Sequence, residues 1–389
     1  MAPARTRTRG ARRPAACTDA RAVMAGSGDI GSGDGRGAAL LGDSPSRTRG
    51  DDVADPGDYR APAWLPGAHA QTIWPALVAP RPAVRYRRER WEAPDGDWID
   101  LDHAVAPDVP ADGPSPRPML ALFHGLEGSS DSHYARTLMA AALARGSDGV
   151  VIHFRGCSGE LNRMPRAYHS GDSDEADWVL RRLAARRSAE ARTGPLLVAG
   201  VSLGGNVLLK WLGERGTDAS FVAAAAAVSP PQDLHAGAIV LSKGFNRLYT
   251  ANFLKTLRSK SLEMLDRHPG LFDRARVAAS RDFFDFDELV TAPLHGFANA
   301  IDYWRRSSCR QFLGGIEVPT LVINALNDPF MPASALAPPS EASRAVRLEY
   351  PATGGHVGFL RGAPPGRLDW LPTRLFDHFD AVLGPCAGG

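Results

Sequence analysis

The sequence predicts an α/β protein, with a mostly parallel central sheet, helices on both faces and a helical cap insertion. Apolar runs at 119–123, 150–154 (interrupted only by His153), 195–199 and 221–228 alternate with helical segments at 132–144, 174–187 and 206–213. Strands that are apolar throughout are buried on both faces, and parallel strands need a crossover, which the intervening helices supply. The alternation breaks at Ser229-Pro230-Pro231. It resumes with strands at 320–324 and 346–350 and closes on a helix from about 368 to 383.

Taken in order, residues 1–58 are rich in Arg, Gly, Ala, Ser and Asp and show no apolar period. Such a segment buries too little surface to offset its ordering entropy, and a solvated tail is expected. The stretch up to Arg13 is Arg-rich and acid-free, so a targeting peptide or basic arm stays open as the alternative. Order is expected from about Ala61, with Trp64 and Trp74 in a segment suited to covering a core. Strands at 85–92 and 98–105 flank Pro94-Asp95-Gly96-Asp97, a hairpin signal, and 107–118 is a Pro/Ala/Asp loop. The helix at 132–144 is stopped by Gly146. The helix at 174–187 has acids in its first turn and arginines in its last, which complements the helix dipole. From 231 to 315 no strand is predicted. There, apolar groups over 237–257 are interleaved with Lys243, Arg247 and Lys255. The expected division is a tail at 1–58, a first core part at 59–230, a cap at 231–315 and a second core part at 316–385.

Composition excludes several classes. Apolar content of 44% with 23% charged residues is that of a globular protein, and a net charge of +2 leaves no overall nucleic-acid footprint. The four cysteines, Cys17, Cys157, Cys309 and Cys386, follow no disulfide or zinc spacing, so a reducing cytoplasm is the expected location. The longest apolar run, 221–228, is far below the ~20 residues of a spanning helix, so membrane contact is expected to be peripheral at most.

The chemistry is carried by Gly200-Val201-Ser202-Leu203-Gly204 between a strand and a helix. A serine on a sharp strand-to-helix turn stands exposed above the sheet edge, and small residues two before and two after it are what the turn requires. Its hydroxyl needs a general base and the base an orienting carboxylate. Asp328 follows the 320–324 strand in Asn327-Asp328-Pro329-Phe330. His356 follows the 346–350 strand in Gly354-Gly355-His356-Val357-Gly358-Phe359. The order Ser, Asp, His, each after a separate strand, is the order this architecture uses. Asp285, Asp287, Asp302, His268 and His295 lie in the insertion, away from strand ends, and His378 lies on the last helix. Cys157, in a glycine-flanked loop after a strand, is the competing nucleophile. The backbone N–H of Leu203 and that of Leu126, in His124-Gly125-Leu126, are the expected oxyanion donors, with Gly125 N–H in reserve. His124 is expected to brace that loop. There is no HExxH or Walker motif and no Rossmann GxGxxG between a predicted strand and helix, and neither cofactor nor metal is expected.

These motifs resemble the YheT-type branch of the α/β-hydrolases, which is related to a subgroup of animal α/β-hydrolase-domain lipases. The matching stretches include His69-Ala70-Gln71-Thr72, Pro94-Asp95-Gly96-Asp97 and His124-Gly125-Leu126-Glu127-Gly128-Ser129. They continue through the loop at 153–163, Tyr168-His169-Ser170-Gly171, the serine turn, Phe286-Asp287 to Tyr303, and the Asp328 and His356 loops. The resemblance covers roughly 60–384. It implies an α/β-hydrolase fold, carboxylic-ester hydrolysis, charge-relay roles for Ser202, Asp328 and His356, and a family role for the loop that holds Cys157. Animal relatives carry an N-terminal membrane anchor, whereas the first 58 residues here include no apolar segment. The expected function is a serine esterase for short- or medium-chain acyl esters, with a small-molecule ester as partner. Lipase, phospholipase or thioesterase action on longer chains and a non-catalytic ligand-binding protein are the alternatives.

Overall fold

The computed structural model describes residues 59–106 and 113–384. The expectations for 1–58, for the first half of the 107–118 loop and for Cys17 and Cys386 fall outside the described residues. The chain opens with α1 (Ala68–Leu77) and a hairpin of β1 (Tyr86–Glu92) and β2 (Trp98–Ala104). The hairpin turn is anchored rather than free. The buried Asp97 carboxylate accepts from Trp98 N–H, Asn162 Nδ2 and Arg163 N–H, and Arg155 bridges Asp95 (2.8 Å) to Glu175 (2.6 Å). A buried charge persists only when it is paired in this way.

The βα alternation follows as β3 (Met119–Phe123), α2 (His133–Ala144), β4 (Asp148–Ile152), α3 (Ser173–Ala189), β5 (Leu196–Val201), α4 (Leu203–Arg215) and β6 (Ala224–Val228). Helices α5 (Leu234–Leu241), α6 (Asn246–Arg267), α7 (Arg274–Ala279), α8 (Phe283–Phe286), α9 (Ala292–Leu294) and α10 (Ala300–Ser307) come next, with a wide π-helical turn at Asp287–Thr291. The chain then returns to the sheet as β7 (Thr320–Ile323) and β8 (Val346–Glu349), and ends on α11 (Trp370–Leu383).

The eight strands lie in the order β1-β2-β4-β3-β5-β6-β7-β8. Only the β1–β2 and β2–β4 pairs are antiparallel. Side chains alternate between faces as the pleat requires. Leu120, Leu122, Leu197 and Ala199 pack with Leu138 of α2 and Phe376 of α11, while Ala121, Phe123 and Val198 pack with Val179 of α3 and Leu208 of α4. Register places the functional loops. Phe123 pairs with Gly200, Val201 with Val228, Val228 with Ile323 and Ile323 with Glu349, so five parallel strands end on neighbouring rungs.

Several boundaries differ from expectation; the strand expected at 221–228, for one, is β6 from Ala224 onward. The strand expected at 150–154 is β4 at 148–152, because Ile152 already pairs with Phe123 on the last rung and His153 turns away to Asp102 (2.8 Å). Helix α4 begins at Leu203 rather than 206. Ser202 turns the chain straight from strand to helix, and Asn206 N–H bonds its carbonyl at 3.0 Å. Gly204 and Gly205 therefore lie within the first helical turn.

Candidate active site

Ser202 leaves β5 with φ 53°, a left-handed conformation costly for a residue with a Cβ. The turn is as tight as the glycines suggest. A Cβ on Gly200 would lie 2.4 Å from Gly204 O, and one on Gly204 would lie 2.4 Å from Phe123 O. The Ser202 N–H donates to Val228 O at 2.8 Å, which holds the turn against the end of β6.

The loops after β7 and β8 bring the other two residues to it. His356 Nε2 lies 2.9 Å from Ser202 Oγ, and His356 Nδ1 lies 2.8 Å from Asp328 Oδ2. A carboxylate facing Nδ1 holds the ring proton there, which leaves Nε2 free to accept the serine proton. The Asp328 side chain is fully buried, and its other oxygen accepts Phe330 N–H at 2.7 Å. Phe330 stacks on the imidazole with centroids 4.3 Å apart. Val357, directly after the histidine, has φ 60°, an outlier for a β-branched residue and one that aims the ring.

The region matched by a family model described as alpha/beta hydrolase fold runs from 118 to 363 and takes in all three residues. The chain belongs to the α/β-hydrolase family. Within that family it is 40% identical over 317 residues to an Escherichia coli K12 protein named "Putative esterase YheT", covering 81% of this chain and 91% of that one. It is 29% identical over 333 residues to mouse "Phospholipase ABHD3", covering 82% of this chain and 77% of the relative. A yeast "Medium-chain fatty acid ethyl ester synthase/esterase 2" is 30% identical over 296 residues, covering 68% and 63%.

In this α/β-hydrolase Leu203 and Leu126 line the cavity above Ser202, and their N–H groups make no hydrogen bond among the described residues. The reserve donor, Gly125 N–H, is not available, because it is bound to Tyr134 Oη at 2.8 Å. His124 is buried, and burial drops its pKa to about 3. Its Nε2 accepts Phe154 N–H and its Nδ1 meets Gly125 O, so it braces the loop as a neutral ring. Burial pushes the Cys157 thiol up to about 12, away from the thiolate that a reactive cysteine presents.

Sequence reasoning left His69-Ala70-Gln71-Thr72 without a task. In the structure Gln71 and Thr72 hold the histidine loop. Thr72 Oγ1 accepts His356 N–H at 2.9 Å and itself donates to Ala68 O at 2.8 Å. Gln71 Oε1 accepts Gly354 N–H (3.0 Å) and Asn327 Nδ2 (2.9 Å), while Asn327 Oδ1 accepts Gly355 N–H (3.0 Å). The Asp328 and His356 loops are thus stitched to each other and to α1.

The cavity over Ser202 measures about 380 Å³ and is largely apolar, with Leu126, Leu241, Phe253, Leu257, Phe286 and Phe330 among its walls. Most of these come from the helices between β6 and β7. Asp287, which the sequence places in the insertion away from the strand ends, lines the cavity from there. Asp285 and Asp302 serve as local helix-end acceptors, for Arg281 N–H and Ala298 N–H. His268 Nε2 meets Arg163 O. Among the described residues no group of three or more His, Cys, Asp or Glu could hold a metal ion, and no helix is long and apolar enough to cross a membrane.

Proposed function

We propose that the protein is a serine esterase that cleaves short- or medium-chain acyl esters through an acyl-enzyme on Ser202. The observation that carries this reading is the unbroken Ser202–His356–Asp328 relay beneath an apolar cavity. Ser202 Oγ attacks the ester carbonyl as its proton passes to His356 Nε2, and Asp328 stabilises the imidazolium. The tetrahedral oxyanion takes hydrogen bonds from Leu126 and Leu203 N–H at the opening of α4. His356 returns its proton to the departing alcohol. It then takes one from a water molecule as the water oxygen adds to the acyl carbon, and passes it to Ser202 Oγ as the Oγ–acyl bond breaks and the carboxylic acid leaves. The helices over 231–315 act as a cap whose side chains set the acyl preference, since the cavity lies within the size range of small-molecule sites.

A second reading, lipase or phospholipase action, is favoured by one observation. Where α5 meets α6, Ile239, Phe245 and Leu248 are exposed beside exposed Lys243 and Arg247. Apolar groups flanked by cations suit an anionic lipid surface.

One experiment tests both. With p-nitrophenyl esters from acetate to palmitate, turnover should peak at short or medium chains, and Ser202→Ala should lose on the order of 10⁶ in kcat. A fluorophosphonate probe should label the wild type alone. Undiminished turnover in Ser202→Ala would sink the first reading. A rate that jumps above the aggregation limit of the longer esters would favour the second.

A further inference from the structure

Two stretches singled out in the sequence, Tyr168-His169-Ser170-Gly171 and Phe286-Asp287, take no part in the relay. Both line the Ser202 cavity. The first is tied to the nucleophile's helix, since Asn206 Nδ2 donates to Ser170 O at 2.7 Å. Asn206 lies one turn along α4 from Ser202, a rise of about 5.4 Å. The second is joined to the first through α10. Trp304 Nε1 donates to Asp287 Oδ2 at 2.8 Å, and its neighbour Tyr303 accepts Ser170 N–H at 2.9 Å and lies 5.7 Å, ring to ring, from His169.

The hydrogen-bonding capacity of these groups is only partly used. His169 Nδ1 accepts Gly171 N–H at 3.1 Å, which places the ring proton on Nε2, and Nε2 makes no hydrogen bond among the described residues. Burial, aided by Arg166 and Lys210, lowers this imidazole to about 3, so it is a neutral donor. Each Asp287 oxygen accepts one bond, from Thr291 Oγ1 at 2.6 Å and from Trp304 Nε1, whereas a carboxylate offers about four acceptor positions. The wide turn at Asp287–Thr291 sets this pair on the cavity wall. Polar capacity inside an apolar enclosure is costly unless something uses it, and a wall that only packed an acyl chain would need none.

We propose that His169 and Asp287 form a polar subsite that binds a free aliphatic hydroxyl of the substrate, away from the scissile ester. A hydroxyl both accepts and donates, which matches a neutral imidazole N–H and a carboxyl acceptor that line the same cavity and are joined through Tyr303 and Trp304. The preferred substrates are then hydroxylated esters, with the hydroxyl on the alcohol part or on the acyl chain. This deepens the esterase reading above and rests on it.

Two isosteric pairs test it: 2-hydroxyethyl decanoate against propyl decanoate, and ethyl 10-hydroxydecanoate against ethyl undecanoate. In the wild type, kcat/KM should favour the hydroxylated member of at least one pair by about tenfold or more, because a site built for a hydroxyl leaves its own groups unpaired with the methyl analogue. The pair that responds tells which side of the ester carries the hydroxyl. In Asp287→Asn and in His169→Phe that ratio should fall towards one. A purely structural role would lower both members together and leave the ratio unchanged, and that result overturns the proposal, as does a wild-type ratio near one in both pairs. If no ester is turned over, the esterase reading has failed. The subsite is then judged by the thermal shift of Ser202→Ala protein with the same pairs. A larger Tm rise with a hydroxylated ester, lost when Asp287→Asn is added, sustains it, and equal shifts overturn it.

Discussion

A histidine that must accept a proton from Ser202 on one side and lean on Asp328 on the other has to be held by its backbone. Thr72 does this from 284 residues away in the chain. Replacing its hydroxyl by a methyl in Thr72→Val leaves His356 N–H without its acceptor and frees the loop to shift. Since a misplacement of about 1 Å can cost on the order of 10²-fold, kcat should fall between about ten- and a hundredfold with KM little changed. Thr72→Ser should restore most of it. A wild-type kcat in Thr72→Val would remove Thr72 from this role. The sequence displays the Gln71-Thr72 pair but not its use, because its partners are backbone groups of a loop that only folding brings near. The positive φ of Val357 is hidden for the same reason.

The serine turn shows how an element can be recognised in sequence and still be misjudged in extent. Gly200, Ser202 and Gly204 mark the turn, yet the helix opens at Leu203, three residues earlier than glycine content suggests. Close packing explains this. Gly204 faces the backbone of Phe123 and His124 at 2.4 and 2.5 Å from a would-be Cβ, whereas the nearest atoms to a Cβ on Gly205 lie at 3.1 and 3.2 Å. Gly204→Ala would have to push the end of β3, and with it the Leu126 loop. It should cost about 3 kcal/mol or more and lower the Tm markedly. Gly205→Ala should cost clearly less. Equal melting temperatures for the two variants would contradict the packing argument.

At the scale of the whole molecule, buried imidazoles govern the response to acid. Burial lowers His124, His169 and His295 to about 3 and His133 to about 4, and it lowers His103 and His378 as well. A histidine with a depressed native pKa binds fewer protons when folded, so stability falls as pH drops below about 6.5. Burial also raises Asp287 to about 6, Glu175 to about 7, and Asp172. These three act in the opposite sense, favouring the folded state as pH falls through those values. The imidazoles outnumber them. Between about pH 6.5 and 4.5, unfolding should take up protons, each net proton costing about 1.4 kcal/mol per pH unit. The urea midpoint should therefore be lower at pH 5 than at pH 7. A midpoint that is equal or higher at pH 5 would show that the carboxyls dominate.

The alternation of apolar strands and helices, the helical character of 231–315 and the order Ser202, Asp328, His356 are all legible in the linear sequence. Each depends on short-range pattern: the period of burial, the small residues of a turn, the polar residue that follows a strand. What the tertiary structure decided depends on how distant segments meet. Register set five strand ends on neighbouring rungs and so brought the three residues within hydrogen-bonding distance. The helices from α5 to α10 put Asp287 on the cavity wall, a place that its position in the chain did not specify. The direction in which a cap residue points follows from how helices fold back on one another, and no local spacing encodes that.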